Sequence, residues 1–109
     1  MPIFITQGRV TREYVRSGLK KPEDRHAYIA GVCEQAGGKL LSFYFTLGRY
    51  DFMIVTEMPD AQAATSVSLA ATGGGGTEGV VTTQAFTPAE TKELYTRAGR
   101  IAYKPMGAP

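Results

Sequence analysis

The sequence predicts an α+β fold: one antiparallel sheet, two helices laid on one of its faces, and a further helix toward the C-terminus. Short β-branched and aromatic runs alternate with longer stretches whose apolar residues recur at helical spacing. Glycines and prolines punctuate the joins between them. In the middle of the chain two strand-like runs are separated by only Gly48-Arg49, the mark of a β-hairpin. The order is therefore strand, helix, strand, strand, helix, strand, helix.

Each element has a local reason. Ile3 to Gln7 is apolar and β-branched and is closed by Gly8, which reads as the opening strand. Thr11 offers an N-cap hydroxyl to a helix in which Tyr14, Val15, Gly18 and Leu19 share one face. Proline is tolerated in a helix's first turn but not in its interior, so Pro22 restarts or kinks this helix, which then runs to about Ala36. Ile29, Val32, Cys33 and Ala36 form its buried stripe, and Gly37-Gly38 ends it. Leu40 to Leu47 and Tyr50 to Glu57 make the hairpin.

Pro59-Asp60 opens the next helix, whose stripe of Ala63, Ala64, Val67, Ala70 and Ala71 is small enough for close packing on a sheet. Gly73 to Gly76 stops it. Val80 to Phe86, rich in Val and Thr, is the fourth strand. Thr87-Pro88-Ala89-Glu90 joins an N-cap hydroxyl, proline at the first helical position and glutamate at the third, a capping-box start for a helix reaching about Ala98. Residues 1–98 thus make a single domain. Residues 99–109, with Pro105, Gly107 and Pro109, are expected to be an extended or poorly ordered tail unless a partner holds them.

This order is the split βαβ, ferredoxin-like arrangement βαββαβ with a C-terminal helix. A sheet covered on one side only should alternate apolar with polar residues. Here Phe43, Phe45 and Leu47 alternate with Leu40, Tyr44 and Thr46, and Tyr50, Phe52 and Ile54 alternate with Met53 and Val55. Both faces therefore carry apolar side chains. The chain has no further element to cover the second face, so the expected cover is the same sheet of a second subunit about a two-fold axis. Chain length agrees, because 109 residues bury only about 60 to 70% of their unfolded surface and make a marginal solitary core.

Composition excludes several chemistries. One cysteine, Cys33, cannot form an intrachain disulfide, a cysteine-rich zinc site or an iron-sulfur cluster. Its place on the apolar stripe makes it a core thiol. His26 is the only histidine and hence the first general-base candidate, yet it lies about 10 Å along the helix axis from Cys33, too far for a Cys-His dyad in one chain. No metal-ligand spacing is present, and neither a metal nor a cofactor is expected. Gly74-Gly75-Gly76-Thr77-Glu78-Gly79 satisfies GxGxxG in letters, but it ends a helix and precedes a strand, the reverse of a dinucleotide site. It reads as a plain connector or as a loop at the mouth of a cleft.

Arg12, Arg16 and Lys20 recur at helical spacing beside Arg9 and Lys21. With a net charge of +2 and no recognition-helix pattern, they read as a solvated face, and nucleic acid is not an expected partner. The N-terminus lacks a basic lead and a long apolar core, and no apolar run approaches the roughly 20 residues of a membrane span, so a cytoplasmic protein is expected.

The string Gly48-Arg49-Tyr50-Asp51, followed by the apolar run Phe52 to Val55, resembles the GYD-domain family of small bacterial proteins, whose function is largely uncharacterised. The similarity includes Pro2-Ile3-Phe4-Ile5-Thr6-Gln7-Gly8, Lys21-Pro22-Glu23-Asp24-Arg25, Gly37-Gly38-Lys39-Leu40-Leu41-Ser42 and Thr87-Pro88-Ala89-Glu90. The resemblance implies the dimeric α/β-barrel superfamily, which includes cofactor-free monooxygenases, haem-handling proteins and the effector domains of leucine-responsive regulators. Kinship at the level of fold does not carry a reaction with it.

Two expectations of function follow. One is a homo-oligomeric protein, a homodimer or larger, that binds a small organic molecule or serves an accessory role, with Tyr44, Thr46, Arg49, Tyr50 and Asp51 as ligand-binding candidates. Gly48, Tyr50 and Asp51 read first as the makers of a tight hairpin at an interface, with Asp51 accepting from the turn's backbone N–H groups, and second as direct ligand contacts. The other is a cofactor-free monooxygenase or isomerase acting on an aromatic or polyketide-like substrate, with His26 as base and Tyr44 or Tyr50 as hydrogen-bond donor. A regulatory effector-binding role would require a DNA-binding partner.

Overall fold

A computed structural model describes all 109 residues. The elements in chain order are β1 (Ile3–Val10), α1 (Arg12–Lys20), α2 (His26–Gln35), β2 (Lys39–Phe45), β3 (Phe52–Glu57), α3 (Ala61–Gly73), β4 (Thr77–Ala85) and α4 (Pro88–Ala98). The strands form one sheet in the order β2-β3-β1-β4, with every neighbouring pair antiparallel. Because β3 lies between β1 and β2, the first crossover is a split βαβ unit, and the ferredoxin-like arrangement is present.

The register assigns the two faces. Phe4 lies opposite Thr56 and Thr6 opposite Ile54, while Phe43 and Phe45 face Ile54 and Phe52. These side chains point toward α2 and α3, which supply Cys33 and Ala64 to the same buried cluster. Ile3, Ile5, Met53, Val55 and Tyr44 alternate onto the opposite face. No helix packs there, so the two-sided apolar sheet read from the sequence has one covered face and one bare one.

Several boundaries differ from expectation, each for a local reason. β1 does not stop at Gly8 but continues to Val10. Gly8 is buried, and a Cβ there would sit 3.0 Å from the Phe52 ring and 3.1 Å from Val80, so its glycine serves close packing. Pro22 does not restart the helix. α1 ends at Lys20, Lys21 is extended at φ −142° and ψ 89° as the residue before proline prefers, and α2 begins only at His26, whose N–H donates to Asp24 Oδ1 at 3.0 Å. Val15 and Leu19 of α1 are exposed, so the face predicted there is not a core face.

The hairpin is wider than a two-residue turn. Its ladder closes at Phe45 opposite Phe52, and residues 46–51 form the connection. Asp51 turns away from that connection toward β1: its N–H donates to Gly8 O at 2.8 Å, and its Oδ2 accepts from the Val10 N–H at 2.9 Å. The carboxylate thus satisfies a donor at the end of β1, rather than donors of the turn. β4 begins at Thr77, three residues before the predicted Val80. The register shifts between Gln7 and Arg9, and Gly79 takes φ +59° where a Cβ would strike the Arg9 guanidinium.

The caps expected at Thr11 and Thr87 form, and Asp60, read only as opening its helix, adds a third. Thr11 Oγ1 accepts from Tyr14 N, Asp60 Oδ1 accepts from Ala63 N, and Thr87 with Glu90 forms the full capping box.

Candidate functional site

α2 and α3 do not close completely over the sheet. α3 presents Ala70, Ala71 and Val67 where longer side chains would fill the space, and a cavity of about 290 Å³ remains between the helices and the covered face. Its floor is Thr6, Phe52, Ile54 and Val80. Tyr28, Ile29 and Val32 of α2 and Val67 and Ser68 of α3 form the roof, and Tyr14, Phe45 and Gly76 stand at one end. Phe43 and Phe45 lie 5.0 Å apart between ring centroids, and Tyr14 is 6.3 Å from Phe45, so one wall is a row of tilted aromatic rings.

Polar groups enter at two places. Thr6 on the floor and Ser68 in the roof both line the cavity, and Thr82, outside the lining, bridges them: its Oγ1 is 3.0 Å from Thr6 Oγ1 and 3.3 Å from Ser68 Oγ, which links sheet to α3 through hydroxyls. At the start of α2, the Arg25 guanidinium lies 4.1 Å from the Tyr28 ring centroid and 3.4 Å from Glu23 Oε2. Arg25 is the only charged residue of the lining. A more open depression lined by Glu13, Ser17, Lys21 and Glu23 adjoins it and shares Tyr14, Arg25 and Phe45. The arrangement suits an apolar or aromatic body inside, with a hydrogen-bonding group at the hydroxyls or an acceptor at Arg25.

The residues singled out from the sequence lie elsewhere. Thr46 Oγ1 donates to Tyr50 O at 2.7 Å, Thr46 N–H donates to Asp51 O at 2.8 Å, and Arg49 lies 5.8 Å from the Tyr50 ring centroid. Together with Asp51 they organise the β2–β3 connection. Tyr44 projects from edge strand β2 on the bare face, across the sheet from the cavity. His26 is exposed in the first turn of α2 and is not part of the cavity wall. No group of three or more His, Cys, Asp or Glu side chains converges to hold a metal ion, and no helix is long and apolar enough to cross a membrane.

The sequence profile of the GYD domain matches residues 4–95, most of the chain. The chain belongs to the GYD-domain family. Among curated proteins none matches it.

In this GYD protein the glycine run sits at the cavity's rim, where Gly74 and Gly76 line both the cavity and the depression beside it. The turn is tied down, since Thr11 Oγ1–H donates to Gly75 O at 2.6 Å and Thr11 N–H donates to Gly76 O at 3.1 Å. Cys33 is fully buried in the core, outside the cavity; burial first, and the negative charge of Glu34 second, push its thiol pKa up. A thiol held in this way is a poor nucleophile.

Sequence reasoning missed Thr6, Ser68 and Thr82, and it gave no site role to Tyr14, Arg25 or Tyr28. One signal was available for the hydroxyls: Thr6 and Thr82 share the in-pointing phase of their strands with Phe4 and Val80, and Ser68 follows Ala64 by one helical turn beside the small-residue stripe. Nothing in the sequence brings Tyr14 and Arg25 to the walls of one cavity, because that depends on how α1 and α2 diverge around Pro22.

Proposed function

We propose that this GYD-domain protein is a homo-oligomeric binder of a small organic molecule, two copies packing bare sheet face to bare sheet face and each holding ligand between its helices and its sheet. The cavity of about 290 Å³ carries the binding reading. It lies at the lower end of ligand-pocket sizes, it is mostly apolar and aromatic, and its few polar groups converge from opposite sides. Its lining of hydroxyls, aromatic rings and one guanidinium orients a guest, and it holds no carboxylate, imidazole or thiol to move a proton. That favours binding over the cofactor-free monooxygenase or isomerase alternative. The bare apolar face supports the pairing of sheets, which would bring the faces about 10 Å apart as in other sheet-on-sheet packings.

Anilinonaphthalene sulfonate, an aromatic body with one anionic group, is a suitable probe. The native protein is expected to bind one molecule per chain, seen as enhanced fluorescence, with its near-ultraviolet circular dichroism unchanged. Val67→Phe, which fills the cavity from α3, should abolish that binding while the fold persists. Equal binding by Val67→Phe would sink the assignment of ligand to this cavity.

A further inference from the structure

α4 is an amphipathic helix with no strand or helix of its own chain packed substantially against it. Thr91, Leu94, Tyr95 and Ala98 recur at helical spacing, and Ile101 continues the stripe just past the helix end. Lys92, Glu93, Thr96, Arg97 and Arg100 occupy the other side, where Glu93 and Arg97 make an i,i+4 ion pair at 3.7 Å. Yet Tyr95 is 77% exposed, Ile101 70% and Tyr103 82%, and α4 makes no substantial packing with any strand or helix of the chain. An 11-residue helix is marginal alone in water even with a capping box, so its apolar stripe calls for a partner surface.

The whole chain has the same surplus. It exposes 8064 Å², whereas a compact monomer of this mass exposes about 5,900 Å². The excess, roughly 2,000 Å² per chain, falls within the range of obligate interfaces, which bury about 1,000 to 2,500 Å² on each partner. Its radius of gyration is 17.9 Å with a longest extent of 66 Å, against about 13 Å for a compact domain of similar length. An excess on this scale is what a protomer shows when part of its core is supplied by a second copy.

We infer that α4 and the residues following it are an exchanged arm: each copy lays the Leu94–Tyr95–Ile101 stripe on the other copy and leaves the Lys92, Arg97 and Arg100 side in water. The second copy is the occupant because the surplus of exposed surface matches what an obligate dimer buries on each partner, and because one two-fold operation covers both stripes at once, beside the paired sheets. The inference rests on the homo-oligomer of the proposed function and adds the element that locks it.

The test uses the full chain. Light scattering over a micromolar dilution series compares the wild type with Leu94→Glu/Tyr95→Glu on the stripe and with Val55→Lys on the bare sheet face. The wild type is expected to dimerise, and the stripe variant to bind itself about 30-fold more weakly or worse, the effect of losing one interface hot spot. In the wild type, amide exchange across residues 91–98 should be slow at high concentration and fast after dilution. A stripe variant that dimerises as tightly as wild type, beside a dissociated Val55→Lys, overturns the arm and leaves the sheet pairing standing. Dissociation by the stripe variant alone supports the arm and overturns the sheet pairing, and a monomeric wild type overturns both. Should the stripe variant aggregate, exchange decides: freely exchanging α4 amides within a wild-type dimer overturn the arm.

Discussion

Cys33 shows how much a single residue's surroundings can be inferred before its contacts are known. Its phase on the Ile29-Val32-Cys33-Ala36 stripe identifies it as a core thiol, and it is 0% exposed. The folded state binds its proton more tightly than the unfolded chain does, because burial penalises the thiolate. Between the ordinary thiol pKa of about 8.5 and the raised folded value, the unfolded chain ionises while the folded one does not. Stability present below that window is therefore lost as pH rises through it. Denaturant titrations should show unfolding free energy declining with pH across this range, and Cys33→Ala should remove that part of the decline. Asp51 was harder to read. Its residue type suggested a turn acceptor, but the donor it satisfies is Val10 N–H, distant in sequence and adjacent only because β1 and β3 pair.

The element scale separates what local chemistry dictates from what packing decides. Caps at Thr11, Asp60 and Thr87 were legible because each depends on residues within one helical turn. The α2–β2 junction was legible only as a stop. Gly37 takes φ +83°, as a helix-ending glycine does. Gly38 has a different reason, for a Cβ there would collide with Met58 Sδ and the Glu57 carbonyl, and Met58 is itself 1% exposed. Gly38→Ala is expected to cost about 2 kcal/mol or more through overpacking between β2 and β3, read as a lowered denaturant midpoint with unchanged slope. Pro22 was misread for the converse reason. Proline's effect on its own position is compatible with a helix start, but its effect on Lys21 ended α1, and Asp24 moved the next start to His26.

At the scale of the whole molecule, the ten buried residues among 109 are few for a domain of this length, and the bare sheet face and free α4 account for where more burial should come from. If a second copy provides it, stability is linked to concentration, because only the folded protomer assembles. The thermal midpoint of the wild type should then rise with protein concentration, and that dependence should be lost in any variant that is monomeric. A midpoint independent of concentration would place all the stability in the solitary chain.

The sequence by itself determined the order of elements, the α+β ferredoxin-like class, the core phase of α2 and the apolar character of both sheet faces. These depend on spacing within one strand or helix, and such spacing is written locally. Only the tertiary structure decided that Arg49, Tyr50 and Asp51 of the hairpin string stay out of the lining of the cavity between the helices and the sheet. The same holds for the Thr6–Thr82–Ser68 hydroxyls, drawn from β1, β4 and α3, and for the placing of Tyr14 and Arg25 on the walls of one cavity. A cavity is the volume that packed elements fail to fill, so its walls come from residues far apart in the chain, and no local pattern records which of them will meet.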